Sequence, residues 1–181
     1  NFLYIKALGS PWVQFNGQTL NLSHRQIEIL CILALHPHGI GLEELHYALY
    51  GERSVSLKTL KAELSQLRSL LPHSIEARIY RLSCEVQCDF LRAEQSLNAN
   101  LISSTFSLYK GSFLSKSESP LLSTWRHCFD ARLSQLIYQI KDIDQLLRII
   151  GQTHDRIDAV QRLLELLPQD SIHRNYFSNL I

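Results

Sequence analysis

Leu57-Lys58-Thr59-Leu60-Lys61-Ala62-Glu63-Leu64-Ser65-Gln66-Leu67-Arg68-Ser69-Leu70-Leu71-Pro72 is the stretch that decides the fold. Leu57, Leu60, Leu64, Leu67 and Leu71 fall on one stripe of a helix of about 3.6 residues per turn. The opposite face carries Thr59, Ala62, Gln66 and Ser69, all small or polar. Pro72 lacks the N–H that another turn would need, so the helix stops there. Such a helix buries its leucines and leaves one face clear.

Upstream, two more helices are predicted. Ser23-His24-Arg25-Gln26 has capping-box form, and Ile27, Leu30, Cys31 and Ala34 follow at helical spacing until His36-Pro37-His38-Gly39. Gly41 opens a second helix, with Leu42, Leu45 and Leu49 on one face and Gly51 as its C-terminal cap. Glu52, Arg53 and Ser54 form a polar connector to the leucine-striped helix. Before these helices, Phe2 to Leu22 reads as three short strands on the strength of Phe2, Tyr4, Trp12, Val13 and Phe15, with turns at Gly9-Ser10-Pro11 and Asn16-Gly17. After them, Ile75 to Leu82 and Glu85 to Phe90 are predicted to pair as a β-hairpin around Ser83 and Cys84.

From Leu91 the periodicity is helical throughout, with helices expected at Leu91 to Leu97, Leu101 to Tyr109, Pro120 to Ile140, Ile143 to Ile150, Arg156 to Leu167 and Ser171 to Leu180. The fold class is mainly α with small β-sheets. Two parts are expected, 1–90 and 91–181, and since Asp89-Phe90-Leu91-Arg92 is not a flexible linker they should be packed together.

The 181 residues are 45% hydrophobic and 19% charged with few glycines and prolines, which excludes a disordered or collagen-like chain. The longest apolar run, Ile29 to Leu35, falls far short of the roughly 20 residues that cross a bilayer, so no membrane partner is expected. Four cysteines in apolar contexts are too few for a secreted disulfide framework and point to a reducing cytoplasm. The absence of methionine suggests a piece of a longer chain, with an N-terminal sensory domain missing.

Net charge is only +1, but Arg53, Lys58, Lys61, Arg68, Arg78 and Arg81 face only Glu63 and Glu76 in the stretch between positions 53 and 81. A local basic patch of that kind suits phosphate. No catalytic constellation is visible: the sequence has no Gly-rich phosphate loop, no Gly-x-Ser-x-Gly and no His-Glu-x-x-His, so neither an enzyme nor a cofactor is expected. Cys84 and Cys88 lack the second ligand pair of a zinc site and read as core residues, as do Trp125 and Phe129.

Three strands, three helices and a hairpin, in that order, resemble a winged helix of the OmpR type. Leu64-Ser65-Gln66-Leu67-Arg68-Ser69-Leu70-Leu71 resembles that family's recognition-helix signature, and Leu22-Ser23-His24-Arg25-Gln26, Gly41-Leu42-Glu43-Glu44-Leu45 and Ile79-Tyr80-Arg81-Leu82 are similar to its helix 1, helix 2 and wing motifs. In the second half, Leu108-Tyr109-Lys110-Gly111-Ser112-Phe113-Leu114, Trp125-Arg126 and Leu163 to Asp170 resemble the TPR-like activator domain of SARP-type bacterial regulators.

The resemblance implies that the helix at 57–71 enters the major groove of double-stranded DNA and that the wing at 75–90 lies on the backbone or in the minor groove. Physically, Ala62 leaves room at the centre, Thr59, Ser65 and Gln66 can bond bases, and Lys58, Lys61 and Arg68 can reach phosphates. Arg78 and Arg81 of the wing would enter the minor groove or clamp phosphate, with a structural ion pair as the alternative for Arg81. Glu63 counts against the reading unless it meets a cytosine amine. The resemblance further implies a contact of Glu52, Arg53 and Ser54 with RNA polymerase, where a plain turn is the simpler reading, and a homodimer on a direct repeat. The alternative function is a protein-interaction module built on a degenerate winged helix, favoured by the near-neutral charge of residues 1–90.

Overall fold

Alternating burial along β1 (Phe2–Lys6) places Leu3 and Ile5 in the interior, and β2 (Trp12–Phe15) does the same with Val13 and Phe15. These two strands and β3 (Gln18–Leu20) form an antiparallel meander, turned at Asn16-Gly17, where both residues take positive φ. The computed structural model describes residues 1–153 and 155–181. Three helices follow: α1 (His24–Leu35), α2 (Leu42–Tyr50) and α3 (Leu57–Leu70). The capping box expected at Ser23 and Gln26 is formed, and Gly51 caps α2 with φ 60°.

The stripe on α3 packs as expected for Leu60, Leu64, Leu67 and Leu71, which are all buried. Leu57 departs from it and is 37% exposed. It sits at the first residue of α3, one turn beyond the buried leucines.

The expected hairpin does not form. β4 (Glu85–Cys88) runs parallel to β1, pairing Leu3 with Val86 and Ile5 with Cys88, and completes a sheet of order β3-β2-β1-β4. Phe90 belongs to the next helix, α4 (Asp89–Asn98). What fixes this return is Asp89, whose buried carboxylate accepts the backbone N–H groups of Ala7 at 2.8 Å, Leu8 at 3.0 Å and Phe90 at 2.8 Å. Burial raises its pKa, while the three N–H bonds pull it down. The wing reduces to the loop between Ile75 and Leu82, closed by a bridge between those two residues and tied to Ile40 through Tyr80. Gly39 (φ +94°) must be glycine here, since a Cβ would lie 2.2 Å from the Ile79 side chain.

The remaining chain is helical: α5 (Ile102–Leu108), α6 (Pro120–Gln139), α7 (Ile143–Gln152), α8 (Ile157–Leu166) and α9 (Ile172–Ser178). Residue 90 lies in the first turn of α4, so the boundary expected there falls inside a helix. One apolar core runs through both parts. Leu114 donates to the Ala7 carbonyl at 3.1 Å, Ser119 Oγ donates to the Ala48 carbonyl at 2.7 Å, and Ser117 Oγ donates to the buried carboxylate of Glu28 on α1. Gly9 (φ +85°) permits this closeness, because a Cβ there would stand 2.7 Å from the Lys110 carbonyl oxygen. Trp125 stacks on Phe129 at 4.8 Å and meets Phe90 and Phe113, so both residues serve the core as expected. Among the described residues, no helix is long and apolar enough to cross a membrane.

Candidate nucleic-acid interface

Because its leucines are held against α1 and α2, the rest of α3 is turned outwards. Lys58, Thr59, Lys61, Ala62, Ser65, Gln66 and Arg68 are all exposed. At about 100° per residue, Lys58, Ala62, Ser65 and Ser69 line the middle of this face. Thr59 and Gln66 flank it on one side and Lys61 and Arg68 on the other.

Several of these groups already have partners. Ser56 caps the helix, its Oγ accepting the Thr59 N–H at 3.2 Å and lying 3.0 Å from Thr59 Oγ1. Gln66 Oε1 accepts from Gln26 Nε2 of α1 at 3.0 Å. Ser69 Oγ bonds back to the Ser65 carbonyl at 3.1 Å. Arg68 sits in the last turn, where a cation complements the helix dipole. Glu63 is half-buried, with one carboxylate oxygen enclosed in protein. Its charge is felt inside the fold at Tyr50, whose pKa is raised first by burial and further by Glu63, against the opposing pull of Arg25. The enclosed Glu63 oxygen has no hydrogen-bond partner among the described residues, while the rest of the side chain stays partly open to solvent.

The loops flanking α3 treat their cations differently. Arg81 pairs with Glu76 at 2.9 Å across the reduced wing, so the ion pair is formed. Arg78 is exposed in the same loop with φ +87°, an uncommon backbone state for a residue with a Cβ. Glu52, Arg53 and Ser54 are exposed between α2 and α3, yet Arg53 reaches 65 residues along the chain to bond the Glu118 carboxylate at 3.0 Å and its carbonyl at 2.6 Å. Sequence reasoning read Gln26 for its cap alone and missed its bond to α3. The signal was the choice of Gln over Glu, which leaves a spare NH2 group.

The chain matches no family model. Over 153 residues it is 28% identical to an uncharacterised 47.3 kDa protein in the thcA 5′ region of Rhodococcus erythropolis, a similarity covering 84% of this chain and 35% of that protein. Its fold is similar to that of Mycobacterium tuberculosis EmbR, solved in complex with a low-affinity phosphopeptide, with a TM-score of 0.56, 17% identity, and coverage of 98% of this chain and 55% of that one. The chain thus spans about a third of the Rhodococcus relative and about half of EmbR. The likeness to EmbR extends over both the sheet-and-helix part and the helical part and establishes their shared architecture: a mainly α protein in which a winged helix is followed by a helical region.

Proposed function

We propose that this chain binds double-stranded DNA sequence-specifically, as the output part of a bacterial transcription regulator of the SARP type. The observation that carries the reading is α3: four leucines buried beneath it and an exposed face of Lys58, Thr59, Lys61, Ala62, Ser65, Gln66 and Arg68 above. This helix enters the major groove, with Ala62 at the point of closest approach, Thr59, Ser65 and Gln66 toward base edges, and Lys58, Lys61 and Arg68 toward phosphates. The loop from Ile75 to Leu82 presents Arg78 to the backbone or minor groove; Arg81 joins it by exchanging its bond to Glu76 for one to phosphate. Residues 1–90 are the DNA-binding unit and 91–181 a TPR-like activator unit. Glu52, Arg53 and Ser54 offer a surface to RNA polymerase, two copies occupy a direct repeat, and the protein works in the cytoplasm under a sensory domain elsewhere in the parent chain.

The test is a salt titration of binding to random and genomic duplexes. Log affinity should fall linearly with log salt, at about 0.9 per phosphate neutralised. A flat response would favour a second reading, a protein-interaction module, which is supported by the near-neutral first ninety residues and by an apolar cleft of about 1090 Å³ between α2 and α6 lined by Tyr47, Leu121 and Trp125.

A further inference from the structure

Gln26 stands where two hydrogen-bonding demands meet. Its Oε1 accepts the backbone N–H of Ser23 at 3.0 Å, closing the capping box of α1. A backbone N–H only donates, so the Gln26 amide has one permitted sense: oxygen toward the cap, nitrogen away from it. The nitrogen is the end that meets Gln66 at 3.0 Å, and only the oxygen of Gln66 can receive it. The amide of Gln66 is thereby fixed as well, with its oxygen turned to α1 and its NH2 group as the free end. Gln26 is 6% exposed and anchored in a helix cap, whereas Gln66 is exposed and would otherwise turn over freely.

We infer that Gln26 is a positioning residue that sets the donor sense of Gln66, and so determines which base α3 accepts opposite it. The inference rests on the assignment of α3 to the major groove. A free NH2 group requires an acceptor, and in the major groove guanine offers O6 and N7, adenine N7 and thymine O4. Cytosine offers only its N4 donor there, so cytosine is the base rejected on the strand Gln66 faces. The discrimination is thus built into the first helix, 40 residues from the side chain that makes the contact.

The decisive variant is Gln26→Glu. A carboxylate keeps the capping box and suits the first turn of a helix, so the fold should hold, which a melting curve checks. Toward Gln66, however, it presents an acceptor only. Gln66 must turn its NH2 inward and its oxygen outward, and the preference reverses toward bases with an amino donor, cytosine N4 or adenine N6.

Selection from a randomised duplex library with the full 181-residue chain reads this out. In the unchanged protein, one position should disfavour cytosine by roughly three- to tenfold, the range expected of a single hydrogen bond. Gln26→Glu should reverse that position by a similar factor, Gln26→Met should level it by letting Gln66 turn freely, and Gln66→Ala should level it whether or not Gln26→Glu is also present. If Gln66→Ala alters one position and neither Gln26 variant does, the inference is overturned while the placement of α3 stands. If Gln66→Ala alters no position, or the chain selects no sequence, the placement of α3 falls and the inference with it.

Discussion

Five of the six basic residues between positions 53 and 81 fall into two groups that the fold treats oppositely; the sixth, Arg78, is an exposed loop residue that, among the described residues, enters no ion pair. In the loops, Arg53 is held by Glu118 and Arg81 by Glu76. On α3, Lys58, Lys61 and Arg68 are exposed and, among the described residues, enter no ion pair. A paired cation is accounted for by the shape it maintains. The two unpaired lysines of α3 are not, for Lys58 and Lys61 stand three residues apart and repel one another by a few tenths of a kcal/mol. A polyanion laid along this face would offset that cost. The contrast fits the proposed reading, in which the α3 cations meet an external phosphate while Arg53 and Arg81 are tied within the free chain, and it can be broken at either end.

The largest effect is expected where a cation is wholly structural. Arg156 is 7% exposed, bonds Asp158, donates to Ser134 Oγ at 2.9 Å, lies 3.4 Å from Asp130 and covers the ring of Tyr109 at 5.7 Å. Arg156→Ala leaves two carboxylates without their counter-charge and should cost about 3 kcal/mol of stability. Denaturant unfolding measures it. At temperatures where the variant is folded, its DNA salt slope should match that of the unchanged protein.

The α3 cations should behave in the converse way. Exchanging Lys58, Lys61 and Arg68 together for Ala should leave the melting temperature nearly unmoved, since none is buried. The slope of log affinity against log salt should fall by about 0.9 for each phosphate that is no longer neutralised, equally for all sequences. A loss of sequence preference at constant slope would contradict the phosphate assignment. In the proposed arrangement preference belongs to the other flank: Thr59→Ala with Gln66→Ala should relax it by about 1 kcal/mol for each single hydrogen bond to a base that is lost, measured by competition between operator and random duplex.

How far the sequence disclosed this division depends on the range of each interaction. The leucine spacing of α3, the Ser23 cap and the Asn16-Gly17 turn are local, and each is found where the residues put it. The partner of residues 85–88 was not local. Their composition says strand, but the choice between a neighbouring strand and β1 rests on Asp89, whose three N–H donors include two from more than eighty residues upstream. The same holds at the candidate interface. The exposed residues of α3 follow from its period, while the bonds Gln26–Gln66 and Arg53–Glu118 join positions 40 and 65 apart and leave no periodic trace. Leu57 fell out of the stripe for a related reason, because periodicity gives a direction around the helix and does not say how far along it the core extends.

The smallest effect sharpens the comparison most, since it concerns a cation that could belong to either class. Arg53 stands in the connector just before α3, close enough in sequence to share its basic patch, yet its guanidinium is occupied by Glu118. Both side chains are largely in water, 44% and 78% exposed, so the pair should be worth about 0.2–1 kcal/mol. A double-mutant cycle of Arg53→Ala and Glu118→Ala should return a coupling energy in that range. On DNA, Arg53→Ala should leave the salt slope unchanged, because the charge was already compensated within the chain. Glu118→Ala removes that compensation and should steepen the slope by up to about 0.9 if the released guanidinium reaches a phosphate. A slope that falls on Arg53→Ala would move Arg53 into the class of the α3 cations, and the carboxylate of Glu118 would then be a competitor for DNA rather than a clasp between the two parts of the fold.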